Sequence, residues 1–97
     1  MKKITPAELK QWLAEHKPFK LIDVREAWEH AAYNIGGTLI PLGEIITRKK
    51  EIDNELPVIV YCEKGIRSVI AIQRLEALGF DKLYNLQGGM SEWKSQA

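Results

Sequence analysis

Ninety-seven residues make one small domain, 1–97, with room for a single core and no second domain. A hydrophobic fraction of 45% with a formal net charge of +1 fits a soluble globular chain and gives no sign of nucleic acid or an acidic partner. The lone cysteine excludes an intramolecular disulfide and a cysteine-rich metal site; no apolar run nears the ~18 residues of a membrane span and no signal peptide is visible, so a reducing cytoplasm is the expected setting.

Taken in order, Ile4 belongs to a short edge strand. Thr5-Pro6-Ala7-Glu8 is a capping box with proline at the first helical position. Leu9, Trp12 and Leu13 are the apolar stripe of the helix that follows, and Pro18 stops it. His16 has no partner motif and reads as a surface residue. Phe19 to Val24 is the next strand, and its end, Asp23-Val24-Arg25-Glu26, puts a carboxylate at the ligand side of an α/β sheet. A helix from Glu26 to Ala32 follows, and its lone His30 reads as a packing or surface residue. Gly36-Gly37 marks a tight turn, and Thr38 to Ile40 a short strand. Pro41-Leu42 opens a helix running to about Lys50. The basic run Arg48-Lys49-Lys50 is followed by Glu51, Asp53 and Glu55, which suits a solvated face.

Val58 to Tyr61 is β-branched and aromatic without a polar break, as in a strand covered on both faces. Cys62 stands where that strand ends. After a short polar loop, a helix begins near Ser68, carries Ile70, Ala71, Leu75 and Leu78 at helical spacing, and stops at Gly79. A loop feeding a helix N-terminus turns backbone N–H groups inward, and the helix dipole favours a thiolate there. Lys64 and Arg67 add formal charge, and Gly65 allows a tight turn. The last strand is Lys82 to Leu86. Gly88 and Gly89 make a close turn, and Trp93 anchors a final helix. Strands alternating with helices imply a three-layer α/β domain with a mostly parallel sheet of about five strands.

Four stretches in this order resemble the rhodanese-like sulfurtransferases. They are Asp23-Val24-Arg25-Glu26, the turn around Gly36-Gly37, the loop Cys62-Glu63-Lys64-Gly65-Ile66-Arg67-Ser68 with its C-x-x-G-x-R-S pattern, and Gly88-Gly89 with Trp93. Together they span roughly residues 4 to 94. The turn departs from the family pattern, with Asn34 for a histidine, Gly36 for a proline and Thr38 for an alanine, which implies a more flexible loop. The resemblance implies the sheet order 1-5-4-2-3 and a Cys62 nucleophile. It further implies Glu63, Lys64, Gly65, Ile66 and Arg67 as the substrate-binding loop, and Asp23 and Arg25 as supports. Sulfur would move from thiosulfate or a persulfide donor, through a Cys62 persulfide, to cyanide or a thiol, free or on a protein. No cofactor and no metal are called for.

Within that loop, Arg67 has two readings: a sulfonate ligand, or a lock on Asp23 or Glu29. The lock is the better use of an arginine fork. Glu63 opposes the charge of its neighbours and should repel dianionic thiosulfate. Two readings from other classes stand beside sulfur transfer. A non-catalytic binding module of the same fold would be expected to have lost Cys62. A cysteine-loop phosphatase would place five residues between cysteine and arginine, where this chain has four.

Overall fold

A computed structural model of the chain describes residues 1–96. Its elements run β1 (Lys2–Ile4), α1 (Pro6–Ala14), β2 (Lys20–Asp23), α2 (Ala27–Ala32), β3 (Thr38–Leu39), β4 (Val58–Tyr61), α3 (Arg67–Glu76), β5 (Leu83–Leu86) and α4 (Gly89–Ser95). The strands form one sheet in the order β1-β5-β4-β2-β3, and every neighbouring pair is parallel. This is the expected three-layer architecture, flanked by helices on both faces.

The central strand explains why the sheet is covered twice. All four residues of β4 are buried. Alternation sends Val58, Val60 and Cys62 into a core shared with Ala71, Ile72 and Leu75 of α3. Ile59 and Tyr61 face the opposite core, with Leu9 of α1 and Met90 of α4. Both layers therefore meet at the end of β4, where Cys62 leaves the sheet.

Helix ends follow local chemistry. Thr5 and Glu8 close the capping box of α1. That helix ends earlier than Pro18. His16 takes φ 54, and the Lys17 N–H reaches back to the Trp12 carbonyl at 3.1 Å, a Schellman turn with histidine in the glycine position. Gly79, at φ 98, ends α3 with the Phe80 N–H bonded to the Leu75 carbonyl.

The helix expected from Pro41 to Lys50 does not form. Two short 3-10 segments stand there instead, Leu42–Glu44 and Lys49–Glu51. Gly43 and the β-branched run Ile45-Ile46-Thr47 weaken an α-helix, and only Ile45 and Ile52 are held by burial in the core. Arg48 bonds Glu51 and Glu44, and Lys49 and Lys50 are exposed, so the basic run is a solvated face.

Candidate active site

The site forms at the C-terminal edge of the sheet, where β4 hands the chain to the Cys62 loop. Cys62 is 1% exposed. Two backbone N–H groups converge on its Sγ, from Gly65 at 3.1 Å and from Ser68 at 3.3 Å. Gly65 reaches this pose with φ 87, and a Cβ there would stand 3.3 Å from the Gly88 nitrogen. Ser68 lies in the first turn of α3, whose N–H groups have no partner within the helix. The loop therefore offers the sulfur partial positive charge from the backbone itself. The Ser68 Oγ stands 3.4 Å from Sγ and also bonds Asn85 Oδ1 on β5.

A cavity of about 300 Å³ opens over the sulfur, lined by Glu29, Cys62, Glu63, Lys64, Ile66 and Arg67. Lys64 and Ile66 are exposed at its mouth. Arg67 gives both terminal nitrogens to Glu29, at 2.7 and 2.8 Å. That fork pulls the Glu29 carboxyl down to about 2. Of the two partners considered for an Arg67 lock, the geometry selects Glu29; Asp23 is taken by another arginine.

That arginine is Arg25, buried beside it. Arg25 Nε and Nη2 bond both Asp23 oxygens, and the Arg25 backbone N–H bonds Oδ1. Burial works against the Arg25 charge, and Asp23 with Glu63 more than restores it, so its pKa lies above the ordinary value. His30 Nδ1 stands 2.9 Å from Asp23 Oδ2, which makes it part of this lattice. Arg25 Nη1 then crosses to Glu63 Oε1 at 3.1 Å. Ser91 donates to Glu63 Oε2, and Lys94 lies 3.6 Å from it. Glu63 is thus a brace between the β2–α2 connection and α4, with its charge met by Arg25 and Lys94.

The loop is gripped from below as well. Met90 N–H bonds the Cys62 carbonyl and Ser91 N–H the Glu63 carbonyl, both at 2.9 Å. This approach requires Gly89, whose Cβ would lie 2.5 Å from the Cys62 oxygen. On the same face of the sheet, Gly37 plays a similar part: a Cβ there would stand 2.8 Å from the Tyr61 ring and hydroxyl. Tyr61 is buried, and desolvation with the nearby Asp23 charge pushes its phenol up to about 12.

Sequence reasoning brought Cys62, Glu63, Lys64, Gly65, Ile66 and Arg67 to one cavity, and Asp23 with Arg25 to its flank. It missed Asn85, the grip by Met90 and Ser91, and the tie of His30 to Asp23. Asn85 had a visible signal, since it shares the alternation of Leu83 and so faces the α3 core as an amide. Among the described residues, no three His, Cys, Asp or Glu side chains gather as a metal site would need. No helix among them is long and apolar enough to cross a membrane.

Comparison with known proteins gives a consistent result. Residues 5–96 match the family model described as Rhodanese-like domain. An uncharacterized protein of Bacillus subtilis, YqhL, is 38% identical over 94 residues, covering 96% of this chain and 72% of that one. The thiosulfate sulfurtransferase GlpE of Coxiella burnetii is 31% identical over 91 residues, covering 92% of this chain and 85% of its own. The crystal structure of a rhodanese-like domain protein from Staphylococcus aureus superposes with a TM-score of 0.88 at 37% identity, covering 96% of this chain and 91% of that one.

Proposed function

The chain belongs to the rhodanese-like domain family, and on that premise we propose that it is a sulfurtransferase whose nucleophile is Cys62. The observation that carries the reading is the convergence of the Gly65 and Ser68 N–H groups on a buried sulfur. Those donors stabilise negative charge on the attacking thiolate and on the sulfur it acquires, as an oxyanion hole does for oxygen.

The Cys62 thiolate attacks the outer sulfur of thiosulfate or of a hydropersulfide. A new S–S bond forms at Sγ while the donor's own S–S bond breaks, and the electron pair leaves on sulfite or on the donor thiolate. Cyanide or a thiol, free or on a protein, then attacks the outer sulfur of the Cys62 persulfide and restores the thiolate. No oxidant is consumed in either step. Lys64 at the mouth attracts an anionic donor, and Ile66 forms the apolar rim. Arg67, Glu63, Asp23 and Arg25 hold the loop in shape. The chemistry requires a free thiol, which a reducing cytoplasm maintains.

The binding-module reading leaves the converging donors without a purpose. A phosphatase would need its loop arginine free for phosphate oxygens, and Arg67 is committed to Glu29 through both terminal nitrogens. The test is mass spectrometry of protein exposed to thiosulfate or an alkyl hydropersulfide and then desalted without reductant. The expected product is heavier by one sulfur atom, and cyanide discharges it. Cys62→Ser should not gain the mass and should lose thiosulfate–cyanide activity while staying folded. A serine variant that keeps more than a small fraction of the activity sinks the covalent route.

A further inference from the structure

Asn85 lies on β5, outside the loop and outside every motif that marks the family resemblance. It is 6% exposed, on a sheet face otherwise filled by Leu83, Val58 and Val60. A buried amide in such a place costs free energy unless its hydrogen bonds are met. They are met by two residues, Gly65 and Ser68. Asn85 Nδ2 donates to the Gly65 carbonyl at 3.4 Å, and the Ser68 hydroxyl donates to Asn85 Oδ1.

Those are the same two residues whose backbone N–H groups point at Cys62 Sγ. One side chain therefore fastens both halves of the sulfur's cradle. The orientation of the amide follows from its neighbours. A carbonyl oxygen can only accept, so the Gly65 side must face the NH₂ group. Oδ1 then faces Ser68, and the single hydroxyl proton of Ser68 goes to Asn85. The Ser68 Oγ is left to turn a lone pair toward Sγ, 3.4 Å away. Gly65 gains most from this tie, because at φ 87 no side chain of its own anchors it.

We propose that Asn85 is a positioning residue for sulfur transfer: by clamping the Gly65 carbonyl and the Ser68 hydroxyl, it aims the two N–H donors at the Cys62 sulfur. The proposal rests on the sulfurtransferase reading only for its kinetic arm. Alkylation of Cys62 reports the cradle without any sulfur being transferred.

The test compares wild type with Asn85→Leu, similar in size but without hydrogen bonds, and Asn85→Asp, which keeps an acceptor for Ser68 but turns an oxygen toward the Gly65 carbonyl. Three quantities are measured: the rate of Cys62 alkylation by iodoacetamide at fixed pH, kcat and KM for thiosulfate with cyanide, and Tm. Removing one oxyanion donor outright costs ~10²–10³ in kcat. Here the donors are misaimed and not removed, so kcat in Asn85→Leu should fall on the order of tenfold or more, with KM within about threefold. Alkylation should slow in parallel. Asn85→Asp should lose at least as much, although its bond to Ser68 survives. Adding Ser68→Ala to Asn85→Leu should cost less than the two single losses multiplied, because both act on one cradle.

A merely structural amide would lower Tm in proportion while folded protein kept wild-type kcat and alkylation at 25 °C. That result, or Asn85→Leu with more than half the wild-type kcat and alkylation rate, overturns the proposal. If Asn85→Leu does not fold, Asn85→Asp against wild type decides by the same two rates. If wild type never acquires sulfur, the sulfurtransferase reading falls, and the alkylation rates still decide for or against Asn85.

Discussion

Gly89→Ala is the sharpest perturbation that the geometry offers. The added Cβ would meet the Cys62 oxygen at 2.5 Å and the Glu63 carbonyl carbon and oxygen at 2.7 Å. All three are backbone atoms, so no side chain can swing aside. Gly89 also sits at φ 61, which costs an L residue ~1–2 kcal/mol. Overpacking adds ~1–3 kcal/mol. The sum is about 3 kcal/mol, which for a domain of this size lowers Tm by roughly 12–24 °C. Relief of the clash must separate α4 from the loop, stretching the 2.9 Å bonds from Met90 and Ser91 to the Cys62 and Glu63 carbonyls. A displacement approaching 1 Å at the nucleophile costs up to ~10²-fold in rate. Thermal unfolding by circular dichroism and steady-state sulfur transfer at 25 °C measure the two effects. Gly43→Ala is the control, since nothing lies within 4 Å of its Cβ and its φ is not positive. A Gly89→Ala protein that melts within about 4 °C of wild type and keeps its kcat would refute the close-approach reasoning.

The Glu29–Arg67 fork should appear in acid. A carboxyl held at about 2, against an unfolded value near 4.5, stabilises the fold fully above the unfolded value and loses that contribution as pH falls through 2. Full linkage would give about 3 kcal/mol, and since Arg67 is 35% exposed we expect about 1–2 kcal/mol, read as a stability gap between wild type and Glu29→Gln that is constant above pH 5 and closes near pH 2. At the alkaline end, Tyr61 is raised to about 12, so its contribution is intact below pH 10 and disappears as pH climbs through 12; wild type should lose stability over that window and Tyr61→Phe should not. His16→Gly should raise stability by ~1 kcal/mol, because the left-handed position no longer strains a side chain, and denaturant midpoints at unchanged m-value check it. Aryl phosphate turnover should be absent, and Cys62-dependent hydrolysis at a rate comparable to sulfur transfer would reverse the ranking of the two chemistries.

What the sequence revealed was what neighbouring residues decide together. The run Val58 to Tyr61, the glycine and helix start after Cys62, and the capping box at Thr5 each carry their physics within a few positions. The Glu63 brace was not legible in this way, because its partner Arg25 lies 38 positions away and meets it only through the sheet. Asn85 was half legible: alternation in β5 turned it inward, but nothing local said that Gly65, 20 positions earlier, would need its NH₂ group. The segment from Pro41 to Lys50 misled for the opposite reason. Pro41-Leu42 suited a helix start, while Gly43 and three consecutive β-branched residues removed the propensity to continue one.

The strand order has a consequence for the chain during synthesis. β1, made first, pairs in the finished sheet with β5, which is made last. Cys62 is translated before Asn85, Met90 and Ser91, the residues that complete its surroundings. At ~5–20 residues per second, these arrive roughly one to six seconds later. A nascent or truncated polypeptide that stops short of β5 therefore carries Cys62, Gly65 and Ser68 without the residues that hold them in place. The surroundings of Cys62 are thus completed only by the closing of the sheet, once the ribosome has delivered β5 and α4.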